Sequence, residues 1–168
     1  MITLRTNTLP KYCYGAARSM VHLRGLYLKE CFEAWKQAKA IDLVLPETDD
    51  PSYVSLEDLL SHVLRADRGY IVWICKQLDL PDPEIEPTPA LDAIAEQAEG
   101  YIAHLIERWA APLANVEEKR FHRGEYESNW GVRYCIDAML EHAVMHPILH
   151  LVQIKELIAA QTGERRNN

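Results

Sequence analysis

The sequence predicts an all-α protein, a four-helix bundle. Four long stretches carry the helical apolar period of ~3.6 residues, and no stretch alternates at period two for long enough to make a strand. Proline-bearing polar segments separate most of these stretches. Each apolar stripe can be buried only against the others, which is the condition that specifies a bundle. The length, 168 residues, suits one domain over residues 1–168 with a sizeable core and no help from disulfides.

The first predicted helix runs from about Pro10 to Ala40, with Ala17, Met20, Val21, Leu28, Cys31, Phe32 and Trp35 on one stripe. A polar connection, Pro46 to Pro51, follows it. Ser55-Leu56-Glu57-Asp58 then reads as a capping box, so the second helix starts near Leu56. It continues to about Leu78, with Leu56, Leu60, Val63, Leu64, Ile71, Ile74, Cys75 and Leu78 inward, and the proline-rich loop Pro81 to Pro87 closes it.

Thr88-Pro89, a capping residue with proline after it, opens the third helix. Leu91, Ile94, Ala95, Ala98, Ile102, Leu105, Ile106 and Trp109 form its stripe, and Pro112 ends it. Residues 112–131 are read as a polar connection carrying His122 and Trp130, a candidate lid or site-lining loop. The last helix spans about Val132 to Gln161, with Gly163 as its stop.

Apolar residues make up 48% of the chain and charged residues 26%, which excludes wholesale disorder. The net charge of −7, with no basic stretch beyond Glu164-Arg165-Arg166, argues against nucleic acid and anionic membrane as partners. Met1 to Arg5 leads into a polar segment too poor in apolar residues for a signal peptide, and no run approaches the ~20 apolar residues of a membrane span. Four scattered cysteines (Cys13, Cys31, Cys75, Cys135) form no C-x-x-C and read as small core or boundary residues. A reducing, cytoplasmic location is the expectation.

Seven histidines are present. His142, His146 and His150 lie within about 80° of one another at ~100° per residue, on the stripe of Met139, Ala143, Gln153 and Leu157. Neutral imidazoles four apart on a helix can direct ring nitrogens at one point, so either His142 with His146 or His146 with His150 is a chelating pair. A third ligand must come from another helix, and His62 is the best placed. Its stripe, Leu59, His62, Ala66, Gly69 and Trp73, borders the buried face of the second helix, and the small residues leave room beside it. Three neutral histidines keep at least one coordination position open, the ligand count of a catalytic site.

His22 and His104 fall off the apolar stripes and read as solvated, while His122 is open to either reading. Pro147, inside the last helix, would re-aim His146 and His150 if it kinks the helix, or is a bend that packing tolerates. None of the histidines has Glu three residues before it, which excludes the di-iron carboxylate class. There is no glycine-rich phosphate loop and no G-x-S-x-G elbow.

Two motifs, Leu59-Leu60-Ser61-His62 and His142-Ala-Val-Met-His146-Pro-Ile-Leu-His150-Leu-Val-Gln153-Ile154, resemble the DinB/YfiT-like metalloenzymes, a family that includes bacillithiol- and mycothiol-dependent enzymes. Helix order and length agree with it as well. The resemblance implies a bundle in a mirror variant of the up-and-down arrangement, a homodimer, and His62, His146 and His150 as metal ligands with His142 a neighbour. Gln153 marks the register. The chain departs from the family's usual Arg-Gly before that glutamine, having Leu151-Val152, and in carrying Pro147.

What the resemblance implies for function is a metal-dependent transferase or isomerase that uses a low-molecular-weight thiol on a small-molecule substrate. A metal-dependent hydrolase is the alternative, with Asp58, Glu125, Glu127 and Glu141 as general-base candidates, and a non-catalytic stress-response bundle is the third reading. Three imidazoles suit zinc or nickel, and also iron.

Overall fold

The computed structural model describes residues 9–166; Met1 to Arg5 lie outside them, as do the side chains of Glu164, Arg165 and Arg166. The chain is predominantly helical: α1 (Gly15–Ala40), α2 (Leu56–Gln77), α3 (Ile94–Trp109), a short α4 (Lys119–His122) and α5 (Ile136–Arg166). A 3-10 turn, Pro51–Tyr53, precedes α2, and an antiparallel ribbon of β1 (Tyr126–Glu127) and β2 (Arg133–Tyr134) precedes α5. The four long helices share one apolar core, in which α1 packs along α5, and α2 meets α1, α3 and α5.

Local chemistry accounts for both ends of α2 and for the C-terminal end of α1. The Ser55 hydroxyl accepts from the Asp58 N–H at 3.0 Å, the expected cap, worth about 1 kcal/mol. Both helices end in the same left-handed motif. Asp42 (φ 50°) and Asp79 (φ 49°) sit just past the last turn, and the N–H groups of Leu43 and Leu80 reach back to the carbonyls of Ala38 and Cys75, both at 2.9 Å. The second helix is therefore closed by Asp79, before the prolines are reached.

Other expected boundaries differ, and tertiary hydrogen bonds explain why. Residues 10–14 are not helical, because the Cys13 N–H donates to Ala114 O and the Tyr12 hydroxyl donates to Ala110 O, each at 2.8 Å, tying this strip to the end of α3. Thr88 does not cap a helix. Its hydroxyl faces Tyr101, whose own hydroxyl donates to Glu86 O at 2.9 Å, so α3 begins only at Ile94, and Leu91 and Ala95 are exposed.

The connection after α3 is more apolar than expected: Leu113, Ala114, Val116 and Phe121 are all buried. It also holds α4 and the ribbon, which a period-two test misses because each strand has only two residues. Helix α5 starts at Ile136 and runs unbroken through Pro147 and past Gly163. Gly163 stops nothing, since it does not take up the positive φ that gives glycine its stop function. Ile136–Gly163 is long and apolar enough to cross a membrane by length and composition only, a test that a core helix also passes.

Candidate metal centre

Three elements meet at the histidine cluster. Helix α2 supplies His62, α5 supplies His146 and His150 one turn apart, and the turn Pro51–Tyr53 closes one side. His62 and His146 are half-buried, and His150 is 4% exposed. Their Nε2 atoms converge: His62 Nε2 lies 3.0 Å from His146 Nε2, and His150 Nε2 lies 3.3 Å from it. With metal–nitrogen bonds of ~2.05 Å, two ligands of one ion stand roughly 2.9 Å apart at an octahedral angle and ~3.3 Å apart at a tetrahedral one. The observed spacings fit that range.

The outer nitrogens of His150 and His62 are held by polar groups, of which the sequence singled out only Gln153, as a mark of register. Gln153 Oε1 accepts from the Tyr53 hydroxyl at 2.7 Å and stands 3.0 Å from His150 Nδ1. An oxygen can only accept, so Nδ1 of His150 carries the proton and its Nε2 turns a bare lone pair inward. His62 Nδ1 is 3.2 Å from the Ser52 hydroxyl, in the turn capped by Asp50, whose carboxylate accepts from the Ser52 N–H at 2.8 Å. A single proton on His146 Nε2 could satisfy one of its two neighbours but not both. Lone pairs crowded in this way suit a cation better than one another.

Electrostatics favours neutral rings. Burial, and after it His150, His62 and His142, together push His146 down to about 3. Burial, then His62, lowers His150 to about 4, against the Gln153 bond and Asp50. Burial also lowers His62, with Asp50 opposing and Arg65 adding to the shift. Neutral imidazole is the ligating form.

A cavity of about 510 Å³ opens beside the cluster, with His62 and His146 in one wall. Ala66 and Gly69 line it, and a Cβ built on Gly69 meets nothing within 4 Å, so the small residues do leave room there. Trp130 and Asn129 line it from the turn between β1 and β2. The Trp73 indole N–H anchors that ribbon by donating to Glu127 O at 3.1 Å. Gly131, with φ 82°, closes the turn by donating to Ser128 O at 3.0 Å. The expected site-lining role thus falls to Asn129 and Trp130 within the connection.

The remaining histidines divide. His142 packs its ring among aromatics, with centroids 5.4 Å from Tyr70, 5.5 Å from Trp130 and 5.9 Å from Tyr134. His122 Nδ1 lies 3.1 Å from Asp137 Oδ2, away from the three convergent rings. His22 is exposed as expected, but His104 is half-buried, its Nε2 accepting from the Glu86 N–H at 3.1 Å. Among the cysteines, Cys31 and Cys75 are buried and Cys135 is half-buried, whereas Cys13 is exposed and not a core or boundary residue.

Tyr53, Ser52, Tyr70 and Trp73 escaped the sequence reading as site residues. Tyr70 and Trp73 sit on the same helix as His62, eight and eleven residues on, and that spacing was the available signal. The turn Pro51–Tyr53 offers no periodicity at all. The sequence matches no protein-family model and no curated protein, and the structure matches no solved structure.

Proposed function

We propose that this chain is a metal-dependent enzyme of the DinB/YfiT-like type, a four-helix bundle of α1, α2, α3 and α5 whose His62, His146 and His150 hold one divalent ion. The observation that carries this reading is the convergence of three Nε2 atoms, at 3.0 and 3.3 Å from the central one, beside an open cavity. A purely structural site is usually closed by four protein ligands, and three with adjoining space favour catalysis. The donor set suits zinc or nickel, and iron as well.

The reaction is transfer or isomerisation through a low-molecular-weight thiol. His62, His146 and His150 would hold the ion, which would supply Lewis acidity toward the sulfur of a thiol. The chain's own residues do the rest. Gln153, Tyr53 and Ser52 hold the outer ring nitrogens of His150 and His62, and Tyr70, Trp73 and Trp130 line the cavity. The hydrolase reading needs a general base facing the cavity. None of Asp58, Glu125, Glu127 or Glu141 lines it, and Asp58 is engaged by the Ser55 hydroxyl at 2.5 Å.

The test is elemental analysis of protein purified without added metal, followed by thiol consumption with monochlorobimane as the electrophile. Wild type should carry one ion per chain, and His62→Ala, His146→Ala and His150→Ala little or none. Full metal retention in His62→Ala would sink the three-ligand site. If loaded wild type consumes neither bacillithiol, mycothiol nor glutathione, the thiol chemistry falls while the metal site stands.

A further inference from the structure

The cavity beside the histidines has two features that metal binding alone does not require. One is an aromatic surface left partly open, since Trp130 has His142 and Tyr134 against it and is still not buried. Trp35, Trp73 and Trp109 are buried, whereas Trp130 is 48% exposed although it lines a cavity. Tyr70 stands nearly perpendicular to it, with centroids 6.5 Å apart at 85°. Together with Ala66, Gly69 and Met139 these side chains make a mostly apolar wall, of the kind that takes flat organic groups.

The other is a cation at the rim. Arg65 lines the same cavity and is exposed, three residues after His62 and therefore on the same face of α2. Among the described residues it makes no ion pair and no side-chain hydrogen bond, while Arg24, Arg108 and Arg133 each have a carboxylate partner. A planar guanidinium presents its donors in a fork that matches a carboxylate. The chain's net charge of −7 opposes the approach of a multiply charged ligand, so a monoanion suits the site best.

We propose that this cavity is a subsite for an aromatic carboxylic acid, its carboxylate held by Arg65 and its ring laid against Trp130 and Tyr70. The assignment rests on the metal-enzyme reading only in making this acid the substrate; the binding itself uses no metal. Asn129, at the turn beside Trp130, supplies a further polar contact at the rim. The ligand's remaining edge then faces His62 and His146.

The experiment measures binding of 2-naphthoate and of its neutral analogue 2-naphthalenemethanol by calorimetry, on protein stripped with EDTA and on zinc-loaded protein. On stripped wild type the carboxylate should bind at least tenfold more tightly than the alcohol. Arg65→Gln should erase that preference and leave alcohol binding within about twofold. Trp130→Ala should weaken both ligands at least fivefold and keep the preference, and Trp130→Phe should recover most of the loss.

Equal binding of the two ligands to stripped wild type, or a preference that survives in Arg65→Gln, overturns the subsite. So does failure of both ligands to bind stripped and loaded protein alike. Circular dichroism on each variant separates a lost contact from a lost fold. If the chain proves to hold no metal yet selects naphthoate through Arg65, the metal reading alone fails. If metal binds and naphthoate does not, only the subsite fails.

Discussion

His150 Nδ1 lies 3.0 Å from Oε1 of Gln153, three residues further along the same helix. The amide oxygen is held in place by the Tyr53 hydroxyl at 2.7 Å, itself 3.4 Å from the same ring nitrogen. A residue of the 3-10 turn and a residue of α5 thus jointly decide which nitrogen of His150 is bare. This pairing determines what the site can bind.

Gln153→Leu keeps the size of the side chain but removes the acceptor, so the His150 proton is free to move to Nε2. Metal affinity should fall about 10- to 100-fold, the range for loss of an outer partner of a ligating histidine. Tyr53→Phe should cost less, because Gln153 keeps its direct bond to the ring. Competition against a chromophoric chelator reads both effects. Unchanged affinity in Gln153→Leu would show that the tautomer is set elsewhere.

The histidine cluster makes the metal-free protein acid-sensitive. Unfolded histidines titrate near ~6.5, while burial and mutual repulsion lower His146 to about 3 and His150 to about 4. Between these limits the unfolded chain binds more protons than the native one. Stability therefore rises with pH across the window and is lost as pH falls through it, by at most about 1.4 kcal/mol per pH unit for each histidine. Urea midpoints of EDTA-treated protein between pH 4.5 and 7.5 should show that slope, and a His146→Ala/His150→Ala double variant should flatten it. Parallel slopes in the two proteins would remove the cluster as the cause.

Arg24 and Asp67 form a buried ion pair between α1 and α2, at 2.5 Å with side chains 1% and 3% exposed, and the guanidinium lies 4.5 Å from the Trp109 ring centre. Burial raises the Asp67 carboxyl while Arg24 pulls it back. Asp67→Ala leaves the Arg24 charge without its partner and should cost about 3–5 kcal/mol. The double replacement Arg24→Met/Asp67→Leu should recover most of that loss, since two apolar side chains need no partner. Urea denaturation of the three proteins measures this, and a loss below about 1 kcal/mol in Asp67→Ala would show that the pair is hydrated.

Much of the helical framework is legible in the sequence because it rests on short-range rules. The stripes of α1 and α2 are buried as their periodicity implies, apart from half-buried Met20, and Ser55 caps α2. Thr88 and Gly163 carry equally good local signals, yet neither sets a helix end, whereas α3 does stop at Trp109, just before Pro112. At Thr88 the competing bonds are tertiary, through Tyr101, Arg68 and His104 to the loop at Ile85 and Glu86. Local propensity is worth about 1 kcal/mol and yields to such contacts.

The site divides in the same way. Sequence by itself determined that His142, His146 and His150 share one face of a helix, because a fixed rotation per residue needs no partner to act. It also left two chelating pairs open on that face. Tertiary structure brought His146 and His150 to His62 and packed His142 among Tyr70, Trp130 and Tyr134. It alone set Ser52 and Tyr53 beside the outer ring nitrogens, whereas the helical period itself puts Gln153 next to His150. Which imidazole turns a bare nitrogen to the centre depends on hydrogen bonds between residues up to 100 positions apart, as from Tyr53 to Gln153, and no helical period encodes that distance.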